Sequence, residues 1–200
     1  MIVHKHAHFI IVNKPPGTST HASPGDTAPN VVDLLKTDYP ILQPLTRLDN
    51  GASGLLVLSL NSQFTKHVQF ISKSYLANVF GVPKKFHGYI EKTLTTKKFG
   101  SGVKRTQEAS SHYRVLKTED ETSCLLVRIE TGRHHQIRRH LRSLGTPIIG
   151  DFRHGDKDKN LAYQEKLGKQ LTLQLKCYRL IFKHQGKIYR FKLPIESVHL

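Results

Sequence analysis

Residues 123–145 read SCLLVRIETGRHHQIRRHLRSLG. Leu125, Val127 and Ile129 alternate, which predicts a half-buried strand over 123–130. After Thr131-Gly132 the period changes: Ile137, Leu141 and Leu144 fall at i, i+4 and i+7. That spacing predicts a helix over 134–144, closed by Gly145. The same stretch holds four arginines and three histidines between 133 and 142, so the fold element and the most basic part of the chain coincide.

Elsewhere strand signals prevail. Phe9-Ile10-Ile11-Val12 is an apolar run stopped by Asn13-Lys14-Pro15-Pro16-Gly17. GLLVLSL at 54–60 reads as a strand buried on both faces, and YLANVFGV at 75–82 is rich in strand formers. Tyr189, Phe191 and Leu193 alternate, and pair with Leu171 to Phe182 across a Gln185-Gly186 turn. Asn30 caps a short helix through Lys36, and Asn61 or Ser62 caps another over 62–72. Strands outnumber helices without alternating with them, so a mixed, largely antiparallel sheet with flanking helices is expected rather than a doubly wound fold. Residues 83–105 are expected to be an exposed basic excursion, and 151–170 a polar lid or mobile insertion. The whole reads as one α+β domain over 1–200.

The 200 residues carry 31 Lys+Arg against 15 Asp+Glu, a net charge of +16, well beyond the roughly 2–8 common in small domains. The excess is spread over both halves, so the charge belongs to the folded body. A polyanion partner is the default reading, and nucleic acid its first candidate. No apolar run approaches the ~20 residues of a membrane span, and the Met1-Ile2-Val3-His4-Lys5-His6 start lacks a signal pattern, so a cytoplasmic protein is expected. Cys124 and Cys177 form no C-x-x-C pair, and read as buried thiols in strands.

Two constellations could carry chemistry. Thr46-Arg47-Leu48-Asp49-Asn50-Gly51-Ala52-Ser53-Gly54 precedes the most apolar strand. Asp49 there is either a turn former or a carboxylate at a sheet edge, with Arg47 on its side of an extended chain. The small residues after it let a large ligand approach the backbone. In the second, Thr131 to His140, His134, Arg138 and Arg142 make a basic stripe at a helix start, suited to phosphate or carboxylate. A solvated helix face is the plain alternative. His4, His6 and His8 would line one face of a strand, without a carboxylate or thiol to complete a metal cage. No Walker loop or H-E-x-x-H pattern occurs, so the residues give no motif for a nucleotide site or a metal.

Together the motifs resemble those of the RluA-type RNA pseudouridine synthases. V-N-K-P-P-G at 12–17 is similar to the family's entry strand and turn. R-L-D-N-G-A-S-G at 47–54 is similar to its H-R-L-D-x-x-T-S-G motif. T-G-R-H-H-Q-I-R-R-H-L-R-S-L-G-T-P-I-I-G-D at 131–151 matches a long third motif, and Ser72-Lys73-Ser74-Tyr75 resembles its K-x-Y strand start. The resemblance implies a mainly antiparallel sheet around a central cleft, with isomerisation of a uridine in tRNA or rRNA after the base is flipped out, and neither a metal nor an organic cofactor. Asp49 is implied to be the catalytic aspartate, nucleophile or base. Arg138 is implied to pair with it and Tyr75 to stack on the uracil. Arg47 would fill the vacated stack, with Arg133, His134, His135, Gln136 and Arg139 binding substrate. Thr46 and Ala52 depart from the pattern, and no L-H-A stretch occurs at 171–180. With about eight residues ahead of the first expected strand, no S4 domain is expected there, and the protein is expected to be a monomer. R-H-G-D-x-x-x-N at 153–160 resembles the TruC branch, which acts on tRNA. The competing readings are a non-catalytic RNA-binding or ribosome-assembly protein and, from the 13 histidines alone, a metal-dependent nuclease.

Overall fold

The apolar run from Phe9 is buried on both faces, because a second apolar strand and two short helices close over it. In the computed structural model, which describes residues 1–22, 28–97 and 103–195, β1 (Ile2–Lys5) and β2 (Phe9–Lys14) form an antiparallel hairpin. A short helix α1 (Val31–Leu35) and a two-residue strand β3 (Gln43–Pro44) lead to β4 (Ser53–Ser59). β4 pairs antiparallel with β2, from Phe9 opposite Ser59 to Lys14 opposite Gly54. On one face Ile10, Val12, Leu56 and Leu58 pack on Val31 and Leu35 of α1. On the other, the Phe9 ring stacks on Phe64 of α2 (Ser62–His67), with centroids 4.9 Å apart. Asn30 and Asn61 cap the two helices as expected, each accepting from an N–H three residues on.

Two expectations need correction in this unit. The helix expected over 62–72 ends at His67, and 69–72 open the twelve-residue strand β5 (Gln69–Phe80). Val68 is already extended (ψ 133°), which fits its β-branched preference. His4, His6 and His8 do not share a strand: His4 lies on β1, while His6 and His8 lie in the turn before β2. There the His6 ring nitrogen accepts the His8 backbone N–H.

The chain divides into two compact units: Met1–Tyr75 with the chain from Leu175 on, and Leu76–Gln174. β5 runs from the first into the second. The second unit contains the largest departure from expectation. Most of 83–105 is sheet: β6 (His87–Lys97) and β7 (Lys104–Glu119) are long antiparallel partners, and β8 (Thr122–Ile129) pairs with β7. The lysines concealed a weak alternation in which Ile90 and Leu94 face inward with Ala109, Ser111 and Tyr113. Residues 98–102 of that expected excursion lie outside the described residues. Helix α3 (Gln136–Ser143) presents Ile137 and Leu141 to the interior. It begins at Gln136, not 134, because His135 adopts a left-handed backbone (φ 52°); Gly145 (φ 78°) then lies just past its end.

The expected lid at 151–170 is built around α4 (Lys157–Leu167), capped by the Asp156 carboxylate, which accepts the Lys159 N–H. Gly168 (φ 60°) closes it. Only Asn160 is buried on this helix, so it has no apolar period to read. Its Oδ1 accepts the Gly150 N–H at 2.7 Å, and its Nδ2 donates to the Asp151 carbonyl.

The last strands return to the first unit. β9 (Leu175–His184) and β10 (Lys187–Lys192) pair across Gln185 (φ 47°) and Gly186 (φ 79°). Two successive left-handed residues define a type I′ turn. β9 begins four residues later than expected. It lies parallel to β4 at Ser53/Lys176 and Gly54/Cys177, whereas the pairings of β1 with β2, β2 with β4, β6 with β7, β7 with β8 and β9 with β10 are antiparallel. The first unit is thus mixed and the pairings named in the second are antiparallel, in keeping with the mixed, mainly antiparallel α+β architecture expected of the sequence, and both cysteines are buried in strands.

Candidate active site

In the first unit the end of β2 and the segment after it grip the loop that carries Asp49. The Lys14 ammonium, wholly out of solvent, donates to the carbonyls of Pro15 (2.9 Å), Thr18 (2.7 Å) and Asn50 (2.9 Å). All three of its protons are thereby used. Gly17 N–H donates to the same Asn50 carbonyl, and the Thr20 hydroxyl both donates to the Leu48 carbonyl and accepts its N–H. The turn itself closes when Ala52 N–H donates to the Asp49 carbonyl at 3.0 Å. Asp49 is half-buried and Arg47 exposed. Burial pushes the Lys14 amine down to about 8, opposed by the Asp49 carboxylate. A cation within electrostatic reach of Asp49 is therefore present within this unit.

Tyr75, near the end of this unit's share of β5, is almost fully buried. Burial raises its phenol pKa, and so do Cys177, which is hydrogen-bonded to it, and the charge of Asp49. The hydroxyl is thus held protonated at neutral pH. Burial likewise pushes the Cys177 thiol up to about 12. Gly54 is left-handed (φ 107°), and a Cβ there would lie 2.2 Å from the Cys177 carbonyl oxygen. The glycine that ends the 47–54 motif is therefore what lets β4 meet β9 beside Tyr75. Thr46, which departs from the family pattern, is buried, and its hydroxyl accepts the Val57 N–H at 3.1 Å.

The second unit gathers the later motif. Arg138 is 8% exposed and forms a two-pronged ion pair with Asp151, at 2.8 Å from Nε and 2.7 Å from Nη2. Burial acts to raise the Asp151 pKa, but the Arg138 hydrogen bonds and the His154 N–H hold the carboxyl below its ordinary value. Gln136 is turned inward. Its amide donates to the Ser110 carbonyl and Ser111 hydroxyl and accepts from Thr131 and the Arg133 N–H. These hydrogen bonds shape the 131–135 loop from within. The His134 and His135 rings stack at 3.7 Å, and His135 Nδ1 meets His154 Nε2 at 2.7 Å. His134 precedes the helix, so the stripe of His134, Arg138 and Arg142 is not a helix face, and Arg138 is not solvated. Arg133 is half-buried, its Nε donating to the Glu108 carbonyl; Arg139 is half-buried as well.

The expected residues thus fall into two groups. Asp49, Tyr75 and Arg47 belong to the first unit, and Arg133 to Arg139 to the second. Sequence reasoning missed Lys14 and Asp151, although both stand inside quoted motifs. Lysine before Pro-Pro reads as a solvated turn, and the aspartate closing the third motif has no local partner in sequence. The R-H-G-D-x-x-x-N stretch is now explained in part: His154 meets His135, Asp156 caps α4, and Asn160 fastens 150–151. A Cβ at Gly155 would lie 2.2 Å from the Asp151 carbonyl oxygen. Among the described residues no three His, Cys, Asp or Glu side chains are grouped to hold a metal, and no helix is long and apolar enough to cross a membrane.

This arrangement of strands has solved counterparts. Human RNA Pseudouridylate Synthase Domain Containing 1 superposes with a TM-score of 0.77 at 20% identity, covering 99% of this chain and 85% of that one. Human RNA Pseudouridylate Synthase Domain Containing 4 gives 0.76 at 23%, covering 99% and 90%. At those identities the likeness defines the fold class, that of the pseudouridylate synthases. The sequence carries it further. The family model described as RNA pseudouridylate synthase matches residues 8–143. A tRNA pseudouridine synthase C of Pasteurella multocida is 35% identical over 92% of this chain and 85% of its own length. An uncharacterized RNA pseudouridine synthase of Chloroflexus aurantiacus is 32% identical over 92% of this chain, and a ribosomal large subunit pseudouridine synthase D of Borreliella burgdorferi 32% over 90%. The chain spans 62% and 60% of the length of those two proteins. The chain belongs to the RNA pseudouridylate synthase family, in its RluA-like branch.

Proposed function

We propose that this chain isomerises uridine to pseudouridine in structured RNA, with Asp49 as the catalytic carboxylate. The observation that carries the reading is the Asp49 turn. It is a carboxylate on a loop clamped from beneath by Lys14 and flanked by small residues, within a family motif, in the same unit as a buried tyrosine that feels its charge. The reaction breaks the C1′–N1 bond of uridine and forms C1′–C5, while the C5 proton departs and N1 gains one. Asp49 acts on the sugar, as nucleophile at C1′ or as base. Tyr75, neutral at working pH, offers a ring to the uracil and a hydroxyl that relays the C5 proton, giving up its own as it accepts it. A base inside a helix exposes neither its sugar nor its C5 edge, so the nucleotide must be everted, with Arg47 filling the gap. The motif likeness assigns Arg138 as the cation partnering Asp49, and the 131–139 basic residues as substrate contacts. Relatives named for tRNA and for the large ribosomal subunit leave both RNAs as substrates; the 153–160 stretch favours tRNA.

Tritium release from RNA labelled at uridine C5 tests this. The wild-type chain releases label from unmodified tRNA or rRNA, with a chelator present, and Asp49→Asn releases none. Full activity in Asp49→Asn removes the mechanism. Normal RNA binding and full cellular function in that variant would favour the second reading, a non-catalytic RNA-binding protein, which the +16 charge supports equally well.

A further inference from the structure

The hairpin of β6 and β7 has two faces with different jobs. The inner one buries Ile90, Leu94, Ala109 and Tyr113. The outer one is set by the register. Tyr89 stands opposite His112, and His112 opposite Arg128, so the three side chains form a row across β6, β7 and β8. His87, Arg114 and Leu126 form the next row. This face is open: Tyr89 is 49% exposed, and the side chains of His112 and Arg128 are 41% and 54% exposed.

The first row is also ordered. The Tyr89 and His112 rings lie 4.7 Å apart. His112 is held from behind by Glu130, whose carboxylate is 2.8 Å from its Nε2, and Ser110 donates to the same carboxylate at 3.2 Å. Glu130 thereby fixes a ring that would otherwise rotate freely. An exposed tyrosine on a strand face, braced by a second ring and flanked by Arg114 and by Arg128, whose Nη2 lies 3.9 Å from the exposed Glu130 carboxylate, matches what unpaired nucleotides need. Bases stack on aromatic faces whatever their identity, while guanidinium groups take the neighbouring phosphates. Exposed Lys84 and Lys85 just ahead of β6 continue the positive charge along the chain. An acidic protein would use the cations but would have no need of the ordered rings.

We propose that this outer face of β6–β8 binds an unpaired stretch of the substrate RNA, with a base stacked on Tyr89 and phosphates on Arg114 and Arg128. That the bound strand belongs to the substrate rests on the function proposed above; the face itself does not depend on that reading.

The full chain is assayed with Tyr89→Ala, Tyr89→Phe and the pair Arg114→Ala/Arg128→Ala. Affinity for a short labelled single strand and for a duplex of the same sequence is measured alongside steady-state tritium release. Tyr89→Ala should weaken single-strand binding about tenfold and raise KM for RNA similarly, with the loss confined to KM. Tyr89→Phe should behave as wild type, since the ring is what stacks. Photo-crosslinking to the single strand should map to β6 or β7. Wild-type single-strand affinity in Tyr89→Ala overturns the proposal, as does an equal loss on duplex. So does loss in the arginine pair alone, which would mark a surface for acidic partners. If wild type binds through Tyr89 yet releases no tritium, the proposed catalytic function falls and this face stands. If wild type is active and Tyr89→Ala is indistinguishable from it, the reverse holds.

Discussion

Lys14 and Arg138 are both long cationic side chains withdrawn from solvent, one in each unit, and they are satisfied by different partners. Lys14 donates to three backbone carbonyls; Arg138 is held by the Asp151 carboxylate. Neutral dipoles only partly replace water around an ammonium, so Lys14 keeps its charge weakly, and its pKa falls to about 8. A guanidinium does not deprotonate in proteins, so Arg138 requires a full opposite charge. Lys14 stiffens a loop by tying carbonyls together. Arg138 fixes one chain segment against another by charge.

The difference is tested most severely at Asp151. Asp151→Asn removes the carboxylate that holds the buried Arg138 guanidinium at Nε and Nη2 and should cost about 3–5 kcal/mol, read as a fall in the urea midpoint at unchanged m value. Adding Arg138→Met should restore much of it, because the buried charge that Asp151 neutralised is then gone. A single variant within about 1 kcal/mol of wild type, by the same scale, would mean the pair contributes little.

Lys14 should respond to pH where Arg138 does not. Its folded pKa lies below the unfolded value, so between about pH 8 and 10.4 the unfolded chain binds more protons and stability rises with pH. Tyr75 and Cys177 act with opposite sign there, because their folded values are raised. The clean quantity is therefore the stability difference between wild type and Lys14→Met. That difference should shift toward wild type by about 2–3 kcal/mol across the window. A constant difference would show that Lys14 is already neutral or well hydrated.

How much of this could be read from residue order divides along the same line. The carbonyl-bound lysine sits four residues from Thr18, and the strands around it are strongly apolar. β2, β4 and the Gln185-Gly186 turn were legible because apolar period and turn chemistry agree there. The hairpin of β6 and β7 was not, because Lys84, Lys85 and Lys92 obscure an alternation that only Ile90 and Leu94 carry. Helix α4 was not, because a helix fastened by one asparagine has no apolar stripe. Asp49 and Tyr75 were legible as motif members. The partnership of Arg138 with Asp151, thirteen residues on, was not, because nothing local distinguishes an aspartate that closes a turn from one that neutralises a buried arginine.

His140 extends the comparison to a group that stays neutral. It is wholly buried on α3, its Nδ1 3.0 Å from the Ser111 hydroxyl. Burial, with Lys92 and Arg139 nearby, pushes its pKa down to about 4. As pH falls from about 6.5 toward 4 the unfolded chain takes up the proton first, so stability drops through that window. Allowing for solvent screening, the drop should be about 2 kcal/mol relative to His140→Asn. Parallel acid-denaturation curves for the two proteins would locate the acid sensitivity elsewhere, with His154 the next group to examine.

The smallest effect expected lies where no charge is involved. After Leu45 N–H donates to the Val57 carbonyl, the Thr46 hydroxyl takes over as acceptor for the Val57 N–H. A side chain therefore stands in for a missing ladder bond three residues before Asp49. Thr46→Val keeps shape and branching while leaving that buried N–H without an acceptor, so it should cost about 1 kcal/mol; Thr46→Ser should cost less. The activity assay separates two roles for the bond. If it only stabilises β4, Thr46→Val lowers the melting midpoint and leaves turnover intact at a temperature where both proteins are folded. If it also sets the Asp49 loop, turnover falls with the chain still folded, and Thr46→Ser recovers it. The second outcome would make the hydroxyl a positioning group for the carboxylate proposed as catalytic, and would tie the geometry of that loop to neutral hydrogen bonds as well as to the Lys14 ammonium that binds its Asn50 carbonyl.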